Sequence, residues 1–341
     1  MKTIKTENAV GHVLCHDITQ IIKGEIKDAV FRKGHIVEEK DIPLLLNLGK
    51  NNLYVFEKNE NMMHENEAAL VLYDICADKT VMQPSEIKEG KIDIYADIDG
   101  LFKVDKKRLS AVNGQGQMMI ASRNGNTYVK KGDKLAGTRI IPLVIEKEKM
   151  DKVKNSVQGA PIFVIMPLKI KKAAEIATGN EVFYGRIKDT FTDVIKEKLK
   201  EFSVEVIYKA VCPDDAEIIT KECLKAIEKG AGTVFCTGGM SVDPDDRTPL
   251  AIKNTGAKIV SYGSPVLPGA MLLISYLGDI PIIGLPGCVM YSKRTVFDIV
   301  LPRLLAHDII TENELALLGE GGLCLNCEIC VYPNCGFGKG W

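Results

Sequence analysis

Ala173-Ala174-Glu175-Ile176-Ala177-Thr178-Gly179-Asn180-Glu181 and Thr233-Val234-Phe235-Cys236-Thr237-Gly238-Gly239-Met240-Ser241 are the two stretches that decide how this chain folds. Each is a short, mostly apolar run that breaks at Thr-Gly, the pattern of a strand buried on both faces and closed by a tight turn. Working outward, residues 161–166, 203–211, 258–261, 271–276 and 280–285 read as further strands. The segments between several of them have helical period. In 188–202, Phe191, Val194, Ile195, Leu199 and Phe202 form one apolar stripe. Residues 214–229 open on two acids and end at Gly230, and 289–306 holds a helix that Pro302 is expected to limit. Strands alternating with helices predict an α/β fold with a mostly parallel, doubly wound sheet.

The remainder divides into three parts. Residues 1–57 hold a short helix with Asp41 as N-cap and Gly49 as stop, followed by a strand at 53–56. Residues 58–157 alternate apolar and polar in short runs, a β-rich domain in which Asp99-Gly100 is expected to turn a hairpin between 91–98 and 101–104. The α/β domain then occupies 158–310, and a glycine- and cysteine-rich tail occupies 311–341.

Composition narrows the class. The 341 residues are 46% hydrophobic and 26% charged, which excludes collagen-like, coiled-coil and disordered chains. Forty-four basic against 45 acidic residues give a net charge of −1, without the basic surplus of a nucleic-acid binder. The first residues lack the apolar core of a secretion signal. The uncharged run 259–278 contains Gly263, Pro265, Pro268 and Gly269, so it reads as two buried strands and not as a membrane span. A soluble, cytoplasmic protein with neither membrane nor nucleic acid as partner is expected. Four of the ten cysteines fall in the last 18 residues, which in such a compartment points to metal ligands before disulfides.

In open α/β sheets, ligands sit where strands end and loops turn into helices. Three such loops stand out: 177–181, 237–249 and 284–288. In the second, Gly238 and Gly239 let backbone N–H groups reach an anion, and Thr237 and Ser241 add hydroxyls. Asp243, Asp245 and Asp246 would repel a bare phosphate and make sense with a bridging divalent cation, for which Asp214 and Asp215 are also candidates. A lone Gly-Gly before Ser and Asp is often only a turn and cap; three such loops on one sheet argue for a site. No Gly-x-x-x-x-Gly-Lys-Ser/Thr string occurs, and no Gly-x-Gly-x-x-Gly follows an early strand of this sheet.

Thr178-Gly179-Asn180-Glu181, Asp214-Asp215, Thr237-Gly238-Gly239-x-Ser241 with Asp246, Pro268-Gly269 and Gly284-Leu285-Pro286-Gly287 resemble, in this order, the molybdopterin-binding domain family. Ala9-Val10-Gly11-His12-Val13-Leu14, Phe31-Arg32-Lys33-Gly34-His35 and Leu48-Gly49 are similar to the N-terminal segment of molybdopterin molybdotransferases, as is Gly132–Thr138 more weakly. The resemblance implies a site for molybdopterin or its adenylate, with molybdate insertion assisted by Mg2+. Carried over by position, Thr178, Gly179, Asn180, Glu181, Asp189, Thr237, Gly238, Gly239, Ser241, Pro268, Gly269, Pro286, Gly287 and Cys288 would hold the pterin and its phosphate. Asp214 and Asp246 would be catalytic and would meet magnesium and molybdate. A homo-oligomer, and a molybdoenzyme apoprotein as recipient, follow from the same likeness. Three positions depart from it: Gly232 stands where an acid is usual, Cys288 replaces a polar residue, and Phe191 replaces an Asn. Asp245-Asp246-Arg247-Thr248 is also similar to the competence-damage-inducible proteins, which makes a nucleotide pyrophosphatase the enzyme alternative. A non-catalytic cofactor carrier or sensor is the other.

In the tail, Cys324-x2-Cys327-x2-Cys330-x4-Cys335 fits the corners of a 4Fe-4S cluster, a Zn2+ site, or thiols without a fixed metal. Trp341, the single Trp, closes the tail as a candidate docking residue.

Overall fold

The structure, a computed structural model, describes residues 2–22, 26–55, 61–241, 243 and 245–340. Phe56, Val242, Pro244 and Trp341, which figure in the sequence reading, lie outside the described residues. The chain forms two compact units: Met1–Ile98, Val104–Arg123 and Lys131–Val164 make the first, and Asp99–Lys103, Asn124–Lys130 and Ile165–Trp341 the second.

In the first unit, Lys2–Lys5 pairs antiparallel with Asn52–Val55, over a core that includes Leu14, Leu45 and Leu53. The expected short helix is Ile42–Asn47, ending where Gly49 takes a positive φ of 73°. Asp41 precedes it, but its carboxylate turns back to accept from the Glu38 N–H at 2.9 Å and to meet His35 at 2.6 Å. A four-stranded antiparallel sheet follows, in the order Met82–Pro84, Lys91–Ala96, Lys134–Ile140, Met118–Ser122. Lys91–Ala96 buries every second side chain, as its alternation predicts.

The expected hairpin at Asp99-Gly100 does not form. Lys91–Ala96 takes its partners from Met82–Pro84 and Lys134–Ile140, while Gly100–Val104 pairs with Thr127–Val129. Two local features explain this. The turn at Gly132-Asp133 exchanges backbone bonds of 2.8 and 2.9 Å with Ala96, closing that strand's end. Gly100 in turn lies so close to Met166 that an added Cβ would stand 2.5 Å from its carbonyl oxygen, so it serves a close backbone approach.

The second unit holds the α/β domain. Its elements in chain order are β1 (Lys172–Thr178), α1 (Phe191–Lys200), β2 (Glu205–Cys212), α2 (Ala216–Glu228), β3 (Thr233–Thr237), α3 (Thr248–Asn254), β4 (Lys258–Tyr262), β5 (Leu273–Leu277), β6 (Ile280–Leu285), α4 (Val296–Leu305) and α5 (Glu312–Leu317). The sheet order is β2-β1-β3-β6-β5-β4. β2, β1, β3 and β6 run parallel, and β5 and β4 continue antiparallel. The uncharged stretch 259–278 thus supplies β4 and β5, and among the described residues no helix is long and apolar enough to cross a membrane.

Side-chain alternation builds two cores. Ala173, Phe235, Ile274 and Ile283 face one side, against Phe191, Ile195 and Leu199 of α1 and Phe297, Val300 and Leu304 of α4. Ala174, Ile176, Val234, Cys236 and Ile282 face the other, against Ile219 and Cys223 of α2 and Ala251 and Ile252 of α3. Helices therefore cover both faces, as a doubly wound sheet requires, and each fully buried Leu, Ile or Phe contributes about 1.5–3 kcal/mol. Pro302 does not stop α4, which continues to Leu305 with every residue buried. Its charged members are paired: Asp298 with Lys198 at 2.6 Å, and Arg303 with Asp308 and with Glu314 at 2.8 Å. The cysteine-rich tail packs on this domain, with Phe337 and Tyr332 against the α4 core and the Tyr332 hydroxyl donating to the Asp298 carbonyl at 3.0 Å.

Glu175, in the middle of β1, is fully buried and neither carboxylate oxygen has a hydrogen-bond partner. Burial pushes its carboxyl up from 4.5 to about 7. The folded state therefore holds this proton more tightly than the unfolded chain. Its contribution to stability is full below pH 4.5 and is lost as pH rises through about 7. Denaturant unfolding at pH 5 and pH 8 should show wild type losing about 2 kcal/mol relative to Glu175→Gln across that interval. A pH-independent difference between the two proteins would refute it.

Candidate functional site

The first and second loops leave the sheet side by side. β1 is the first strand of the domain yet lies between β2 and β3, so the chain departs from its two sides in opposite directions. That arrangement opens a crevice at the carboxyl ends of β1 and β3. Register brings the loops level: Ala177 pairs with Thr237, and Thr237 pairs on its other side with Leu285 of β6. The third loop thus starts beside the second.

The junction of the first two loops is closely built. A Cβ on Gly238 would lie 2.1 Å from the Thr178 carbonyl oxygen, and one on Gly239 would lie 2.8 Å from Thr248 Oγ1. Both glycines have positive φ, 87° and 54°. Thr248 Oγ1 donates to the Gly238 carbonyl at 2.9 Å, and Thr178 Oγ1 stands 3.1 Å from the same hydroxyl. Since Thr248 has one proton and spends it on Gly238, Thr178 is the donor between them. Thr178, Thr237 and Thr248 are all buried, whereas Gly238 and Gly239 are half-buried and open to a ligand.

Asp214 ties the first loop to the start of α2. The Asn180 N–H donates to its carboxylate at 2.9 Å, and the Asp214 N–H donates to Asn180 Oδ1 at 3.3 Å. Asp215, beside it, caps α2 by accepting from Glu217 and Ile218. Asp246 accepts from the Asp243 N–H at 3.2 Å while its own N–H donates to the Asp243 carbonyl at 3.0 Å. Asp214 and Asp246 thus each commit one carboxylate oxygen to backbone and remain partly exposed. Tyr262, from β4, donates to the Met240 and Ser241 carbonyls at 3.0 and 3.2 Å and so props the second loop. Burial, then the charge of Asp246, pushes the Tyr262 phenol up.

Other predicted residues are engaged differently. Glu181 is exposed, with its carboxylate folded over Gly179. Asp189 caps α1, accepting from the Phe191 N–H at 2.9 Å, and pairs with Lys209 at 2.9 Å. Burial works against its ionisation, but the Thr192 and Lys209 hydrogen bonds outweigh it and hold the carboxyl below its usual range. The Thr190 hydroxyl, next in sequence, donates to Met290 Sδ at 3.2 Å, joining the start of α1 to the third loop. Pro286 precedes a short 3-10 turn, Gly287–Met290, which holds Cys288 half-buried; burial pushes its thiol up. Pro268 and Gly269 are built into the start of α4, where the Val296 N–H donates to the Pro268 carbonyl at 3.1 Å. Gly232, the departing position, stands where a Cβ would be 3.2 Å from Ile170 Cγ2. Among the described residues, no three His, Cys, Asp or Glu side chains converge on a point that would hold a metal ion.

Thr248 stands in the second loop and in the run Asp245-Asp246-Arg247-Thr248, but no role in the site was read for it, and Tyr262 was missed. Thr248 had a signal, a Thr directly before a Pro at a helix start, which reads first as a cap. Tyr262 had none, because its partners are backbone carbonyls some twenty positions away.

Residues 174–306 match the family described as "Probable molybdopterin binding domain", and residues 3–57 match a domain of unknown function. A CinA-like protein of Thermosipho melanesiensis is 36% identical over 89 residues, 26% of this chain and 22% of that protein. A CinA-like protein of Fervidobacterium nodosum is 30% identical over 113 residues, 33% of this chain and 28% of its own length. The chain thus spans less than a third of either relative. The molybdopterin biosynthesis enzyme MoaB of Thermus thermophilus aligns over 40% of this chain and 92% of its own, at 22% identity and a TM-score of 0.33. With the three loops gathered at the carboxyl ends of β1, β3 and β6 and the match at 174–306, this part of the chain belongs to the molybdopterin-binding domain family.

Proposed function

We propose that the chain binds molybdopterin or its adenylate in the crevice at the ends of β1, β3 and β6 and inserts molybdate, supplied as substrate. The observation that carries this reading is the hydrogen-bonded junction of Thr178, Thr248 and Gly238, which holds Gly238 and Gly239 open where the strands diverge. A phosphate-bearing ligand there meets backbone N–H groups without side chains in the way. Thr237 and Ser241 flank the same turn and supply hydroxyls.

The rim is acidic, with Glu181, Asp214, Asp243, Asp245 and Asp246, against Arg186 and Arg247. Mg2+ usually binds through one or two carboxylates together with substrate phosphate and water, and Asp214 and Asp246 fit that donor set; the ion would neutralise charge on the phosphate linkage. The chain's own residues do the positioning. The Asn180–Asp214 clasp fixes the Asp214 carboxylate, and the Asp243–Asp246 turn fixes that of Asp246. Cys288 is held half-buried in the third loop, where burial pushes its thiol up.

The purified chain, given adenylated molybdopterin, Mg2+ and molybdate, should release AMP and form active cofactor only when molybdate is present. Equal release of nucleotide from a pterin-free dinucleotide would replace this reading with a pyrophosphatase. Asp246→Asn keeps an oxygen to accept the Asp243 N–H but removes the charge. It should lower molybdate-dependent turnover by about 100-fold or more while pterin affinity, read by fluorescence titration, stays within about threefold.

Gly238→Ala places a methyl against the Thr178 carbonyl at positive φ. It should cost about 2–4 kcal/mol in urea unfolding and abolish pterin binding. Wild-type stability with wild-type binding would remove the junction from the argument.

A further inference from the structure

All four cysteines of the tail open into one space. Cys324, Cys327, Cys330 and Cys335, with Lys293 and Tyr332, line a cavity of about 410 Å³ on the α/β domain. Cys324 and Cys335 are half-buried and pack against the α4 core; Cys327 and Cys330 are exposed at the lip. None of the four is in a disulfide.

The cavity wall is fixed to the domain at several points. Segment 322–324 runs beside Leu267, whose N–H donates to the Gly322 carbonyl and whose carbonyl accepts from the Cys324 N–H, both at 2.8 Å. Gly338, with φ 74°, lies so near Ile299 that a Cβ would be 2.7 Å from Cγ1, and its N–H donates to the Gly321 carbonyl at 2.9 Å. Arg294, paired with Asp298 at 2.9 Å, lies over the Tyr332 ring at 5.2 Å. Lys293 Nζ donates to the Glu328 carbonyl at 2.9 Å, between Cys327 and Cys330, and holds the outer loop in place.

Size and spacing decide what such a space takes. A single tetrahedral Zn2+, with Zn–S near 2.3 Å, needs its thiolates within about 4 Å of one another. Among the described residues no three such ligands converge on one point. The cavity, at about 410 Å³, is instead far larger than a single ion fills. A cubane cluster is ligated at its corners, so its thiolates stand apart around a filled centre; three cysteines spaced by two residues are the run that supplies three such corners, and Cys335, which lines the same cavity, is placed to supply the fourth. Charge agrees as well. Two ferrous ions, two ferric ions and four sulfides make a core of charge +2. Four thiolates, after release of four protons, bring the assembly to −2, and the Lys293 ammonium faces the same cavity.

We propose that the tail holds a four-iron, four-sulfide cluster in this cavity, ligated by Cys324, Cys327, Cys330 and Cys335. The cavity shares no lining residue with the crevice residues named above, although Ser292, which lines it, donates from its N–H to the Cys288 carbonyl of the third loop at 2.9 Å, and the proposal does not depend on what binds in the crevice.

The test uses the full chain under strict anaerobiosis, supplied with equal ferrous and ferric iron and with sulfide, then desalted. About four irons and four acid-labile sulfides per chain, with visible thiolate-to-iron absorption bleached by dithionite, are expected. The double variant Cys327→Ser/Cys330→Ser removes only exposed side chains, so it should fold with the wild-type circular dichroism spectrum and melting temperature and lose at least three quarters of the iron. Wild-type protein that retains fewer than two irons per chain, that takes up one Zn2+ per chain from an iron and zinc mixture while rejecting iron, or that keeps its cluster in the double variant, overturns the proposal.

Discussion

How closely the chain after β3 passes the end of β1 governs everything at the carboxyl edge of the sheet. At Gly238 the backbone approaches the Thr178 carbonyl to a distance that no side chain allows, and the buried hydroxyls of Thr178 and Thr248 fasten the crossing from below. Around that point the other loops take fixed places. Asn180 and Asp214 join the first loop to α2, Tyr262 supports the second from β4, and Thr190 reaches the third at Met290. The crevice is therefore a product of backbone proximity, with side chains serving mainly to hold the backbone there. A ligand rich in phosphate and heteroatoms suits such a surface, because it is met by N–H groups whose positions are set by the sheet.

Much of this was legible in the residues. The buried parallel strands are short apolar runs closed by Thr-Gly or Leu-Pro-Gly, so β1, β3 and β6 could be placed within a residue or two, and α1 and α2 within about three. The order of the loops followed, because a doubly wound sheet brings strand ends together in one place. The failed hairpin at Asp99-Gly100 shows the limit. A turn signal is local, whereas the choice between pairing with the next segment and pairing with one forty residues on depends on packing that no local pattern encodes. Glu175 shows another. A single acid inside an apolar run passes as part of the strand, and only the structure reveals that its carboxyl is fully buried. Thr248 was read only as part of the run Asp245–Thr248, and the reach of its hydroxyl to the Gly238 carbonyl is visible only in the structure.

The acidic rim and the cysteine tail represent two different solutions to handling charge. At the rim, Asp214 and Asp246 are partly exposed and each commits one carboxylate oxygen to backbone, leaving the other free to meet a cation that came with a ligand. In the tail, thiols surround a preformed space and the nearest ammonium is already bound to the loop it steadies.

The second unit draws residues 99–103 and 124–130 from within the stretch of chain that otherwise builds the first. The family match at 174–306 therefore covers only part of the second unit, which also includes residues 99–103, 124–130 and 307–341. Over evolutionary time, a gene duplication or fusion that moved only the carboxyl-terminal half would leave two short segments behind.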